Sequence, residues 1–205
     1  MTRLVQWDVT DSAAFAGETV HILGGGPSLR HMDISILDLD PVIAVNNSGL
    51  DFFPDADILL VMDRRWFDWN RERLHLNRSR FRFGRQGQVP SWELPWPLVA
   101  VEHDKGNTLS DDPSIRALTG ATGGEMAINL AYLLGASRII LHGFDMRPGH
   151  YHGDHRIPTP DQSYDQTFIP SIERMAKRLA GEVEVLNATP DSALTCFPWL
   201  EDIDR

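Results

Sequence analysis

The chain has 205 residues, 42% hydrophobic and 23% charged, a balance that fits one globular domain with a proper core and excludes a disordered chain. A net charge of −10 argues against general affinity for nucleic acid or an anionic membrane surface. The single cysteine, Cys196, excludes an internal disulfide and a multi-cysteine metal site; with no apolar run long enough to span a bilayer and no apolar signal core in Met1 to Asp11, the cytoplasm is the expected location.

The first apolar run, Val20–Leu23, ends in Gly24-Gly25-Gly26-Pro27-Ser28-Leu29. This predicts a buried strand that turns sharply and hands over to a helix. The glycines are expected to supply positive φ and close approach to a bound group, and Ser28 to cap the following turn. Amides exposed at a helix start favour an anion, most often a phosphate. The spacing is not G-x-G-x-x-G and no P-loop lysine follows, so the loop reads either as a phosphate cradle or as a structural tight turn. Pro41–Val45, closing on Asn46-Asn47-Ser48-Gly49, and Ala56–Met62, closing on Asp63, predict two more strands. Nearly all-apolar strands suit a parallel sheet covered on both faces, where ligands bind at the carboxyl ends. Gly24–Gly26, Asn46–Ser48 and Asp63 then share one rim.

From Arg64 to Pro97 the composition changes. Eight of the 19 basic residues fall between Arg64 and Arg85, interleaved with Trp66, Phe67, Trp69, Phe81 and Phe83. One reading is a cationic insertion or lid over about 64–97 that meets a phosphate, an acidic substrate or a partner. The other is a solvated amphipathic helix followed by an edge strand, with the aromatics packed inward. Pro90–Pro97 reads as a proline-punctuated loop.

The second half is regular. Thr122 is placed to cap a helix that Gly135 stops, with Met126, Leu130, Leu133 and Leu134 as its apolar stripe and the Gly123-Gly124 pair bringing amides close to anything bound. Arg138–His142 predicts a strand ending in Gly143-Phe144-Asp145, a long polar loop runs to Pro170, Ile172–Leu179 a helix, and Val183–Leu186 a last strand. The alternation predicts an α/β, Rossmann-like, doubly wound and mostly parallel sheet with helices on both faces.

The loop His150-Tyr-His-Gly-Asp-His155 concentrates three histidines and an aspartate. It reads as a general base, as a partner for a leaving phosphate, as a divalent metal site, or as a polar surface loop without a role. His155 is the first choice for a base, because Asp154 is adjacent and Gly153 frees the loop. Asp145, at a strand end, suits a ribose hydroxyl or a turn. Asn46 and Asn47 offer amides for base or phosphate recognition, or simply turns. Cys196 has no cationic neighbour in sequence and reads as a buried small residue.

Taken in order, Ile22-Leu-Gly-Gly-Gly-Pro-Ser-Leu29, Ala44-Val-Asn-Asn47, Thr122-Gly-Gly-Glu-Met-Ala, Ile139-Ile-Leu-His-Gly-Phe-Asp145 and Val185-Leu-Asn-Ala-Thr-Pro-Asp-Ser-Ala-Leu resemble the bacterial CMP-sialic-acid-dependent sialyltransferases. They are equally similar to relatives in phage genomes, in flagellin modification and among archaeal hydroxymethylpterin diphosphokinases. The resemblance implies a nucleotide held across the strand ends. Gly24, Gly25, Gly26, Pro27, Ser28, Asn46, Asn47, Asp63, Thr122, Gly123, Gly143 and Asp145 are the binding candidates, with His155 as base and His152 or Arg147 beside the leaving phosphate. Gly25 stands where the family has asparagine, and Tyr164 where it has its catalytic histidine. The leading expectation is a nucleotide-sugar transferase, CMP-linked by resemblance, that needs no metal and acts on an unidentified acceptor. The alternatives are a diphosphokinase using ATP and magnesium, with Asp63 and Asp145 as ligands, and a catalytically silent phage or host interaction protein.

Overall fold

Apolar runs bounded by glycine, proline and asparagine become the strands of a parallel sheet. The structure, a computed structural model, describes residues 3–5, 13–37, 39–153 and 156–200. In chain order the elements are Leu4–Val5 (β1), Thr19–Leu23 (β2), Val42–Val45 (β3), Ile58–Val61 (β4), Arg64–Trp69 (α1), Phe81–Arg85 (β5), Leu98–Asp104 (β6), Ala117–Thr119 (β7), Gly123–Leu133 (α2), Arg138–His142 (β8), Ile169–Leu179 (α3) and Glu184–Asn187 (β9). The strand order is β1-β6-β5-β4-β3-β2-β8-β9, with β7 also on β6, and every pairing is parallel. The chain winds outward from β2 to β6 and then returns to place β8 against the other side of β2. That reversal between β2 and β8 is the switch point at which such sheets open a crevice for ligands.

The period-2 alternation sorts side chains onto two faces. Val20, Ile22, Ile43, Val45, Ile58, Leu60, Ile139 and Leu141 join the main core, which includes Met126, Ala127 and Leu130 of α2 and Ile172, Met175 and Leu179 of α3. On the other face Leu59 and Val61 pack with Trp66 and Phe67 of α1, while Leu23, Val42 and Ala44 pack with Leu29 and Leu37. The fold is therefore the expected α/β Rossmann-like sheet with helices on both faces. Among the described residues no helix is long and apolar enough to cross a membrane.

Two local expectations are corrected and one strand is new. The segment after the glycine loop forms two 3-10 turns, Pro27–His31 and Ile34–Leu37, where a helix was expected. Asp40-Pro41 closes this stretch, and the ring of Pro41 holds the chain extended into β3. β5 is an interior strand, paired by β4 on one side and β6 on the other, and not an edge. β6, with β1 on its first half and β7 on its second, was not anticipated at all.

The Arg-rich stretch is tied down against its neighbours. Arg64 pairs with Asp68 at 3.7 Å, Arg65 with Asp63 at 2.5 Å and Arg73 with Asp51 at 2.7 Å, and Arg78 pairs with Asp55. Arg71 stacks over Trp92, Arg80 over Phe81 and Arg82 over Trp96.

Candidate functional site

Two cavities flank the switch point. The first, of about 300 Å³, lies between the strand ends and the head of α2. Its floor is the glycine loop. A Cβ at Gly24 would stand 2.6 Å from the Gly143 carbonyl oxygen, and one at Gly26 would overlap the Asp145 carboxylate. The Gly24 amide donates to His142 O at 2.8 Å and the Gly26 amide to Gly143 O at 2.9 Å. The expected positive φ is absent from all three loop glycines. What demands glycine at 24 and 26 is close approach of the chain to its own β8 exit, not a left-handed turn. Gly143 is the residue with φ +70, and a Cβ there would meet Leu29 at 2.6 Å.

Ser28 does not cap the turn that follows. Its amide and hydroxyl both donate to Asp145, at 3.1 and 2.7 Å, so Asp145 fastens the loop to the end of β8 while lining the cavity. Charge-assisted bonds of this kind are roughly twice as strong as neutral ones.

The opposite wall is the start of α2. Thr122 caps it as expected, accepting from the Glu125 amide at 3.1 Å. The buried Glu125 carboxylate accepts from the Ala121 amide at 2.6 Å and from Ser171 Oγ at 2.9 Å, tying α2 to α3, and burial raises its pKa. Gly123 and Gly124 let the helix head approach Val45 and Phe144, where a Cβ would stand at 2.9 Å in each case. First-turn amides have no intrahelical acceptor, so this helix head presents donors to the cavity.

Asn46 sits between these walls with φ 57, and its Oδ1 is buried with no hydrogen-bond partner among the described residues. A buried amide oxygen left unpaired costs about 1–3 kcal/mol, a cost a ligand donor would remove. Asn47 lines the same cavity, but its Oδ1 accepts from Trp66 Nε1 at 2.7 Å. Asp63 lies at the end of β4 yet is not part of the cavity wall; it caps α1 and binds the Arg65 guanidinium.

The outer wall comes from the polar loop. Arg147, His150, His152, Thr159, Tyr164 and Phe168 line it. His150 Nδ1 donates to Gly25 O at 3.2 Å, and the Tyr151 amide donates to the same oxygen at 3.1 Å. Arg30 holds the His150 and Tyr151 carbonyls, and the Tyr151 hydroxyl donates to Asp51. The His150 and His152 rings stack at 5.2 Å. Arg147 donates to Asp191 O. Burial raises the pKa of the Tyr164 phenol, which therefore stays a proton donor at neutral pH. His155 and Asp154 lie outside the described residues.

Sequence reasoning singled out the histidine loop that holds His150, but missed Trp66, Thr159 and Phe168 as wall residues, and Asn187, Thr189 and Ser192 as fasteners of the β8 exit. Thr189 Oγ1 accepts from the Phe144 amide at 2.9 Å, Ser192 Oγ donates to Phe144 O at 2.5 Å, and Asn187 Oδ1 accepts from the Thr189 amide at 3.0 Å. The motif over residues 185–194 was thus legible as a pattern before its structural task was. Cys196 is half-buried and burial pushes its thiol up to about 11, in keeping with an inert residue. Among the described residues no three His, Cys, Asp or Glu side chains are grouped to hold a metal ion.

No protein-family model matches the chain and no curated protein matches its sequence. Solved structures do share its fold. The MAf glycosyltransferase from Magnetospirillum magneticum AMB-1 matches over 100% of this chain with a TM-score of 0.65 at 14% identity, and the chain spans 36% of that protein's length. The sialyltransferase CstII from Campylobacter jejuni, in complex with the substrate analogue CMP-3FNeuAc, matches over 89% of this chain and 86% of its own, with a TM-score of 0.52 at 18% identity. A CST-II complex with a trisaccharide acceptor and CMP gives 0.51 at 16% identity over 88% and 85%. The Rossmann-like architecture is thus one that glycosyltransferases use.

Proposed function

We infer that the chain is a glycosyltransferase that binds a nucleotide sugar, CMP-linked as in the CstII complexes, in the cavity between the glycine loop and α2. The observation that carries this reading is Asn46, which lines the cavity together with the head of α2 and whose buried Oδ1 has no hydrogen-bond partner among the described residues. An amide acceptor suits the amino edge of a base such as cytosine, and helix-head amides suit a phosphate. Arg147, His150, His152 and Tyr164 then lie on the side from which a leaving phosphate needs neutralisation.

In this reading an imidazole of the loop, His152 or His155, takes the proton of an acceptor hydroxyl. The acceptor oxygen bonds to the anomeric carbon as the bond from that carbon to the phosphate oxygen breaks. The nucleotide leaves with the bonding electrons, its new charge met by Arg147 and a proton from Tyr164. A diphosphokinase would place magnesium on Asp63 and Asp145, but Asp63 is engaged by Arg65 and Asp145 by Ser28. The arrangement therefore favours the metal-independent transferase.

A thermal-shift titration tests this. CMP and CMP-sialic acid should raise Tm without magnesium, the stabilisation growing with the logarithm of concentration over Kd. Asn46→Ala should weaken CMP about tenfold, the loss of one buried hydrogen bond. A response to ATP and magnesium alone, or no response to CMP, overturns the assignment.

A further inference from the structure

The second cavity, of about 680 Å³, opens on the other side of the β8 exit and shares Gly143 and little else with the first. Its wall includes His142, only 4% exposed, which stands on the sheet face where neighbouring strands carry Leu23, Val42, Ala44, Leu59 and Val61. β2 breaks that apolar rule in the same way with His21, 5% exposed. His21 Nδ1 is 2.8 Å from His142 Nε2, and His21 Nε2 is 3.3 Å from Asp40 Oδ2.

This chain of contacts fixes the tautomers. The Asp40 carboxylate accepts, so His21 donates from Nε2 and its Nδ1 accepts. His142 must then donate from Nε2, which leaves its Nδ1 as a lone-pair acceptor. Burial lowers the pKa of both imidazoles, His142 to about 3, so both are neutral at ordinary pH. No hydrogen-bond partner for His142 Nδ1 exists among the described residues, and its ring lines the cavity. A buried polar group oriented by two others, with its last acceptor turned to a cavity, is the arrangement of a binding site and not of a packed core.

The rest of the lining agrees in chemistry. Asp33 and Asp191 add carboxylate acceptors, His31 an imidazole, Trp199 an indole, and Met32 and Ile36 apolar surface, while no Arg or Lys among the described residues contributes. We propose that this cavity is a second ligand site that takes a neutral, hydroxyl-rich sugar, its C–H face on Trp199 and its hydroxyls donating to His142 Nδ1, Asp33 and Asp191. The carboxylates of Asp33 and Asp191 disfavour a phosphate, whose charge suits the first cavity with its helix-head amides and Arg147. The inference stands on its own residues and not on the transferase reading.

Saturation-transfer NMR and calorimetry with glucose, galactose, N-acetylglucosamine and lactose test it on the whole chain. At least one should bind with a Kd of about a millimolar. Trp199→Ala should weaken that binding about tenfold and Asp191→Asn about threefold. Asparagine tolerates the left-handed φ of 53 at position 191, so that variant keeps the test open should changes at His142 prevent folding. His142→Gln should weaken binding, and Asn46→Ala should leave it unchanged. Silence from all four sugars, binding indifferent to Trp199→Ala and Asp191→Asn, or binding of ethylenediamine in place of sugars overturns the proposal.

Discussion

The two cavities meet at Gly143 but are built from opposite materials. The first, under the head of α2, offers donors and a cation, the helix amides, the histidine loop and Arg147, beside the Asp145 carboxylate and an Asn46 Oδ1 that has no partner among the described residues. The second offers two carboxylates, two imidazoles and an indole: Asp33, Asp191, His31, His142 and Trp199. The difference follows from what covers the sheet. On one face α2 brings a dipole and free first-turn amides to the strand ends. On the other face the 3-10 turns Pro27–His31 and Ile34–Leu37 stand where a crossover helix was expected, and they line the second cavity through Leu29, Met32 and Ile36. A thinner layer leaves room beside β8, and two histidines stand where the sheet otherwise carries aliphatic residues.

Gly143→Ala is the largest single way to break this arrangement, because it damages both cavities at once. A left-handed φ costs an L-residue about 1–2 kcal/mol, and overpacking against Leu29 about 1–3 kcal/mol more. A loss near 3 kcal/mol, read as a lower urea midpoint, should accompany weaker binding of CMP and of sugar together. Independent behaviour of the two ligands in this variant would mean that the shared wall does not matter.

The pH dependence of stability separates the two sites. The folded-state pKa of His142 is depressed to about 3 from its ordinary 6.5, by burial and by the neighbouring His21. Above pH 6.5 both folded and unfolded chains hold it neutral and its contribution to stability is intact. As pH falls from 6.5 toward 3 the unfolded chain takes up a proton that the folded chain refuses, and stability is lost at up to about 1.4 kcal/mol per pH unit. His21 is also lowered by burial, against the opposing pull of Asp40. Urea titrations of the parent and of His142→Gln should diverge in slope below pH 6.5. Parallel curves would show that His142 is not buried neutral. No such divergence should follow Asn46→Ala, whose expected loss is confined to nucleotide affinity.

How much of this was written in the sequence differs between the cavities. The strands were legible because Val20–Leu23, Val42–Val45, Ile58–Val61 and Arg138–His142 carry apolar runs and end in turn residues, and the strand-end rule then placed Gly24–Gly26, Asn46–Ser48 and Asp63 on one rim, of which all but Asp63 line the first cavity. Thr122 was readable as a cap because Glu125 follows it three residues on. Tyr164, Phe168 and Trp66 reach the cavity only through packing between distant segments, which no local pattern encodes. The second cavity was missed although its signal is local: a histidine inside an otherwise apolar strand, at position 21 and again at 142. Asp63 shows the limit of the strand-end rule, since an aspartate followed by two arginines also reads as an ion-paired residue, and here it caps α1 and binds Arg65.

The smallest expected effect is the sharpest probe of the first cavity. Of the three loop glycines, Gly25 alone has room for a side chain, because a Cβ there meets only His150 Nδ1 at 3.2 Å. Its φ is not left-handed, so alanine adds no backbone strain. Gly25→Ala should therefore change stability by less than about 1 kcal/mol, where Gly24→Ala or Gly26→Ala would collide with the β8 exit. What alanine must do is push the His150 imidazole, which donates to Gly25 O and stacks on His152. Nucleotide affinity, set by Asn46 and the α2 head, should stay within about threefold of the parent, while turnover falls as the histidine wall shifts. Sugar binding at the second cavity should not change. If affinity collapses while turnover per bound nucleotide holds, the loop itself cradles the phosphate and the histidines are bystanders. If neither changes, His150 has no part in the chemistry and its stacking on His152 does not set turnover.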